Sequence, residues 1–149
     1  MITSGGQLLY SLEHCGKNVV LPSALGFELR GNVKSETLTY NGNEAVMTDN
    51  DVCYMFNSGF EVIGTENSSF DETWQPVWGE ESEIRNHYNE LLVCLKHSET
   101  GKLMNVRFRL FDDGLGFRYE FPDGQPLVYF KIKEELTEFN MSGDNESWW

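Results

Sequence analysis

The stretch Leu103-Met104-Asn105-Val106-Arg107-Phe108-Arg109-Leu110, then Asp112-Asp113-Gly114, then Phe117-Arg118-Tyr119-Glu120-Phe121 decides the fold class. Val106, Phe108 and Leu110 alternate with Asn105, Arg107 and Arg109. Phe117, Tyr119 and Phe121 alternate with Arg118 and Glu120. A period of two sets one face of a strand on a core and the other in water. Asp112-Asp113-Gly114 supplies the backbone angles of a tight turn between the two runs. After Pro122-Asp123-Gly124 the pattern returns at Val128, Phe130 and Ile132. The stretch from Leu103 to Lys133 therefore predicts a three-strand antiparallel meander.

Working outward, the same period recurs. Leu8, Tyr10 and Leu12 run into a turn at His14-Cys15-Gly16-Lys17, and Val19-Val20-Leu21 returns. Leu25, Phe27 and Leu29 form a strand ending at Gly31-Asn32, and Asn41-Gly42 marks a hairpin near Leu38 to Val46. Phe60, Val62 and Gly64 make another strand, and Leu91, Val93 and Leu95 one more. The best candidate for a helical turn, Glu81 to Leu91, contains His87-Tyr88-Asn89, which disfavours one. Many short strands with turn signals predict an all-β, antiparallel β-sandwich, and residues 1–149 read as part of one such domain. Residues 66 to 90 break the pattern. They are dense in Trp, acids, Arg and His and lack clean alternation, which marks a functional or loop segment.

Composition narrows the partners. The 149 residues carry 24 acids against 11 Lys and Arg, a net charge of −13, which would repel a phosphate backbone or an anionic membrane. A neutral polyol is compatible with that surface. No apolar run reaches the ~20 residues of a membrane span, and no signal-peptide pattern opens the chain. Cys15, Cys53 and Cys94 have no metal-binding spacing, and buried free thiols are the plain expectation, with one disulfide the alternative. The closing Ser147-Trp148-Trp149 reads as a segment that continues in a longer protein.

Four stretches, in order, resemble the N-terminal domain of glycoside hydrolase family 97. The densest is Phe70-Asp71-Glu72-Thr73-Trp74-Gln75-Pro76-Val77-Trp78-Gly79-Glu80, continuing through Ile84-Arg85-Asn86-His87-Tyr88-Asn89-Glu90-Leu91. The others are Pro22-Ser23-Ala24-Leu25-Gly26-Phe27, Phe108 to Tyr119, and Thr137-Glu138-Phe139 with Trp148-Trp149. The resemblance implies a super-sandwich of the galactose-mutarotase type. This chain would be its front part, packed in the parent against a catalytic (β/α)8 barrel that the chain lacks. It also implies a periplasmic or secreted, calcium-using parent that cleaves α-glucosides with inversion or α-galactosides with retention. The metal ligands and the catalytic carboxylates would lie mainly in the barrel. The chain by itself is then expected to be inactive, to hold no cofactor, and to self-associate through its unpaired strand edges.

Glycoside hydrolysis needs two carboxyl groups across the scissile bond. Asp71, Glu72, Glu80, Glu81, Glu83 and Glu90 are acids of the right type, and without the resemblance Glu80 and Glu90 would be the pair to test. With it, no catalytic residue is assigned here. Trp74 and Trp78 suit sugar stacking, but large aromatics mostly serve cores and interfaces, so plugging the sandwich or its seam with the barrel is preferred. Arg85, His87, Asn89 and Glu90 form the polar part of a barrel-facing or sugar-contact set, or else a network that holds a long loop. In extended chain Arg85, His87 and Asn89 share one face, and Asn86, Tyr88 and Glu90 the other. Asp49-Asn50-Asp51 starts like a calcium loop, but Tyr54 stands where the loop's glycine belongs and Phe60 where its glutamate belongs, so no metal site is assigned. A free-standing carbohydrate-binding module and a ligand-free interaction domain remain the competing readings.

Overall fold

The computed structural model describes residues 2–4, 6–30, 37–40, 43–46, 53–123 and 131–144. These residues form strands, turns and irregular segments, with no helix among them. The strands are β1 (Ile2–Ser4), β2 (Gln7–His14), β3 (Lys17–Ala24), β4 (Phe27–Arg30), β5 (Thr37–Tyr40) and β6 (Asn43–Val46). They continue with β7 (Cys53–Phe56), β8 (Phe60–Trp74), β9 (Ile84–His97), β10 (Leu103–Leu110), β11 (Leu115–Glu120) and β12 (Lys131–Glu135). Every registered pair is antiparallel. The chain divides into two compact units.

The first unit draws on Met1–Phe60, His97–Glu99 and Leu127–Trp149. It holds the sheets β1-β2-β3 and β12-β4-β7 and the hairpin β5-β6. His14 pairs with Lys17, and the two residues between them, Cys15 and Gly16, both adopt positive φ, 50° and 73°. Positive φ at both central positions matches the twist of the flanking strands, which is why Gly16 suits this turn. The hairpin expected near Leu38 to Val46 is found, with Tyr40 paired to Asn43, while its turn at Asn41-Gly42 lies outside the described residues. Leu8, Tyr10, Leu25, Phe27, Leu29, Phe56 and Phe60 are buried, with the ring of His97 stacked 5.4 Å from that of Phe56.

Two stretches far apart in sequence meet in this unit. Glu138 donates its backbone N–H to the carbonyl of Ala24 at 2.9 Å. Its carboxylate accepts from the Ala24 N–H at 3.0 Å, and its carbonyl accepts from the Tyr10 hydroxyl at 2.8 Å. The Pro22–Phe27 and Thr137–Phe139 stretches are thus adjacent. Gly26, between Leu25 and Phe27, has φ +135°, and a Cβ there would stand 2.2 Å from the carbonyl oxygen of Phe56. Only glycine fits that approach.

The second unit comprises Glu61–Lys96 and Thr100–Pro126 and is one sheet, ordered β11-β10-β9-β8. Val106 faces Val93 on one side and Tyr119 on the other, and Met104 faces Leu95. Val93, Leu95, Met104, Val106 and Phe108 are buried, so the alternation of β10 sets its apolar face as expected. Each such side chain contributes about 1.5–3 kcal/mol when fully buried.

Two expectations fail here. Among the described residues the meander has two of its three strands: β10 and β11 pair through the Asp112-Asp113-Gly114 turn, whereas β12, at the end of the stretch read as the third strand, pairs with β4 in the first unit, and Val128 and Phe130 lie outside the described residues. Period two sets which face of a strand is apolar, not which strand it joins. Residues 66 to 90 are not a long loop. Most of them are strand, and β8 and β9 run far beyond the short pieces read at Phe60–Gly64 and Leu91–Leu95. Alternation is weak there because β8 is exposed on both faces beyond Phe60, Gly64 apart.

Candidate functional site

β8 and β9 are hydrogen-bonded neighbours, and side chains meet across them at Asp71 with Arg85 and at Gln75 with Glu83. The chain therefore doubles back between Trp74 and Ile84. Pro76 and Gly79, the latter at φ +151°, shape the turn. Val77 is 99% exposed, Trp78 90% and Trp74 48%, so the tip presents a bare apolar cluster.

Below the tip, the Arg85 guanidinium grips Asp71 through two bonds, Nε to Oδ1 at 2.8 Å and Nη2 to Oδ2 at 2.6 Å. The bonds from Arg85 hold the Asp71 carboxyl below its usual value. Both groups are over half exposed, so water screens this clasp and it adds little to stability. His87 is half-buried and Asn89 is exposed.

The other face of β9 differs. Tyr88 is buried, stacked on Phe70 at 5.3 Å and tilted against Phe111 at 5.4 Å, with the Arg109 guanidinium 4.4 Å above its ring. Glu90 is only 10% exposed. Its Oε2 accepts from Arg109 Nε at 2.7 Å and its Oε1 from Arg107 Nη1. Arg107 also donates twice to Glu120, at 2.6 and 3.0 Å, and Arg118 donates to Glu120 at 2.7 Å. Bonds from Arg109, then from Arg107, hold Glu90 below its ordinary value against the opposing effect of burial. Arg107 does the same for Glu120.

The sequence-derived set thus divides. Trp74, Trp78 and Arg85 sit at or near the tip; His87 and Asn89 follow on β9; Glu90 belongs to an ion-pair ladder across β9, β10 and β11. The ladder partners Arg107, Arg109, Arg118 and Glu120 were not singled out. Their signal was there, as charges at alternate positions of two consecutive strands, but alone that pattern reads as a solvated face. Among the described residues no group of three or more His, Cys, Asp or Glu is placed to hold a metal ion, and Asp49-Asn50-Asp51 lies outside them. Cys15 and Cys94 are free thiols, and the Cys53 side chain is outside the described set.

The described residues thus define an all-antiparallel β domain that presents an aromatic hairpin tip. The chain belongs to the glycosyl-hydrolase 97 N-terminal family, which it matches over residues 1–149. It is 27% identical over 143 residues to a retaining alpha-galactosidase of Bacteroides thetaiotaomicron, covering 96% of this chain and 17% of that protein. A family 97 enzyme from a Pseudoalteromonas species, solved with panose and with acarbose, superposes with a TM-score of 0.72 at 30% identity, over 95% of this chain and 19% of that one. A beta-arabinopyranosidase shares the fold at a TM-score of 0.69 and 23% identity. The chain spans about a fifth of the length of these relatives.

Proposed function

We propose that the chain is the non-catalytic N-terminal support domain of a glycosidase that cleaves α-glucosidic or α-galactosidic bonds. In this reading it packs on the catalytic barrel of the same polypeptide, and the β8–β9 tip, with Trp74 and Trp78, reaches the mouth of the substrate site. The observation that carries it is the exposed cluster of Trp74, Val77 and Trp78 at the end of a hairpin braced by the Asp71–Arg85 clasp. Trp and Arg are the side chains that interface hot spots favour.

The general acid of a glycosidase needs a raised pKa, and Asp71, Glu90 and Glu120, all lowered by guanidinium partners, do not suit that role. Calcium, the oligosaccharide substrate and a periplasmic or secreted location belong in this reading to the parent enzyme. The described residues do not fit a calcium site, so no step is assigned to the ion here.

In the parent enzyme, Trp78→Ala and Arg85→Ala are expected to lower kcat/KM ten-fold or more, about 1.4 kcal/mol of transition-state stabilisation, with little change in melting temperature. Unchanged kinetics in both variants would refute the reading. Saturable binding of maltose or galactose by the 149-residue chain alone would make the tip a sugar site in its own right.

A further inference from the structure

A concavity of about 180 Å³ opens on the second unit's sheet, lined by Arg107, Arg109, Phe111, Gly116, Phe117 and Arg118. Three of the six lining residues are arginines and none is an acid. In a chain of net charge −13 that local balance is unusual.

We propose that this concavity is an anion site that takes a carboxylate. The ladder around it has three guanidinium groups and two carboxylates, an excess of one positive charge. Both carboxylates are fully engaged. Glu90 gives one oxygen to Arg107 and the other to Arg109, and Glu120 gives both to Arg107 and one again to Arg118. The guanidinium groups are not. Among the described residues Arg109 bonds only through Nε, leaving both terminal nitrogens to donate, and Arg118 uses Nε and Nη2 only, both on Glu120. Free terminal N–H groups in a planar fork match the two oxygens of a carboxylate.

Gly116 makes the room. It pairs with Arg109 across β10 and β11, and a Cβ built on it meets nothing within 4 Å. Stacking on Tyr88 holds the Arg109 fork in place, which lowers the entropy cost of using it. Phe111, 37% exposed, adds an apolar rim. The carboxylate has two sources of the same chemistry: a sugar acid, or an Asp or Glu side chain of a polypeptide. The site is open to water, so affinity should be weak, with Kd on the order of 1 mM. The inference is independent of the role given to the hairpin tip.

The test is amide-resolved NMR titration of the 149-residue chain at fixed ionic strength with acetate, glucuronate and glucose. Saturable shifts around Gly116 and Arg118 with acetate and glucuronate, and none with glucose, are expected. Arg118→Gln and Gly116→Val should each weaken binding at least ten-fold while the far-UV spectrum is kept. Gly116→Val fills the space without removing a charge, and both positions lie on β11, the end of its sheet among the described residues. Glucuronate at least ten-fold tighter than acetate assigns the site to sugar acids, and equal affinities assign it to acidic side chains. Glucose shifting the same amides, neither acid binding, or Gly116→Val binding as well as the parent chain would overturn the proposal.

Discussion

Replacing Glu90 by Gln asks whether the ion-pair ladder stabilises the second unit. The carboxylate is 10% exposed and accepts from two arginines. Hydrogen bonds to charged groups contribute about 1.5–3 kcal/mol each. The loss is smaller than their sum. Arg107 keeps its two bonds to Glu120, and Arg109, 40% exposed, regains water at Nε and stays stacked on Tyr88. Glutamine keeps one acceptor oxygen but turns an amide N–H group towards a guanidinium. The expected cost at pH 7 is about 2 kcal/mol, or roughly 4–8 °C in melting temperature for a chain of this size. The pH dependence carries the sharper signature. Glu90 titrates below its usual 4.5 in the folded chain, so its contribution is complete above that value and is lost as pH falls through the folded one. Urea titrations of the parent and the variant should therefore differ at pH 7 and converge in acid. A difference below about 0.5 kcal/mol at pH 7, the scatter of ordinary surface changes, or one that persists unchanged in acid, would refute the ladder as a source of stability.

Gly26→Ala should cost at least about 3 kcal/mol, since the new Cβ would meet the Phe56 carbonyl and the backbone sits at positive φ; a urea midpoint equal to the parent's would contradict the fold around β4. The 149-residue chain should turn over neither aryl α-glucosides nor α-galactosides with or without calcium, and turnover that survives repurification but disappears in a Glu90→Gln variant would show otherwise. The same chain should self-associate through exposed Val62, Ile63, Trp74, Val77 and Trp78; light scattering that reports a clean monomer at high concentration would count against it.

Sequence alone determined the all-β class, the antiparallel pairing of β10 with β11, the turn at Cys15-Gly16 and the hairpin near Leu38 to Val46. Each is written locally, in a period of two or in turn residues at fixed offsets, and local geometry needs no distant partner. The parity of β9 was legible for the same reason: Tyr88 and Glu90 do share a face, as the contacts of both with Arg109 show. What the tertiary structure decided is long-range. The pairing of β12 with β4 joins residues about 100 apart, as in the Lys133–Glu28 ion pair, and no pattern within either strand names the other. The length of β8 was hidden because a strand exposed on both faces has no apolar stripe to reveal it. The sequence grouped Glu90 with Arg85, His87 and Asn89, whereas the register of β9 on β10 brings Arg107 and Arg109 beside it. Which carboxylates are free and which are already held depends on strand register, and register is set by the packing of the whole sheet.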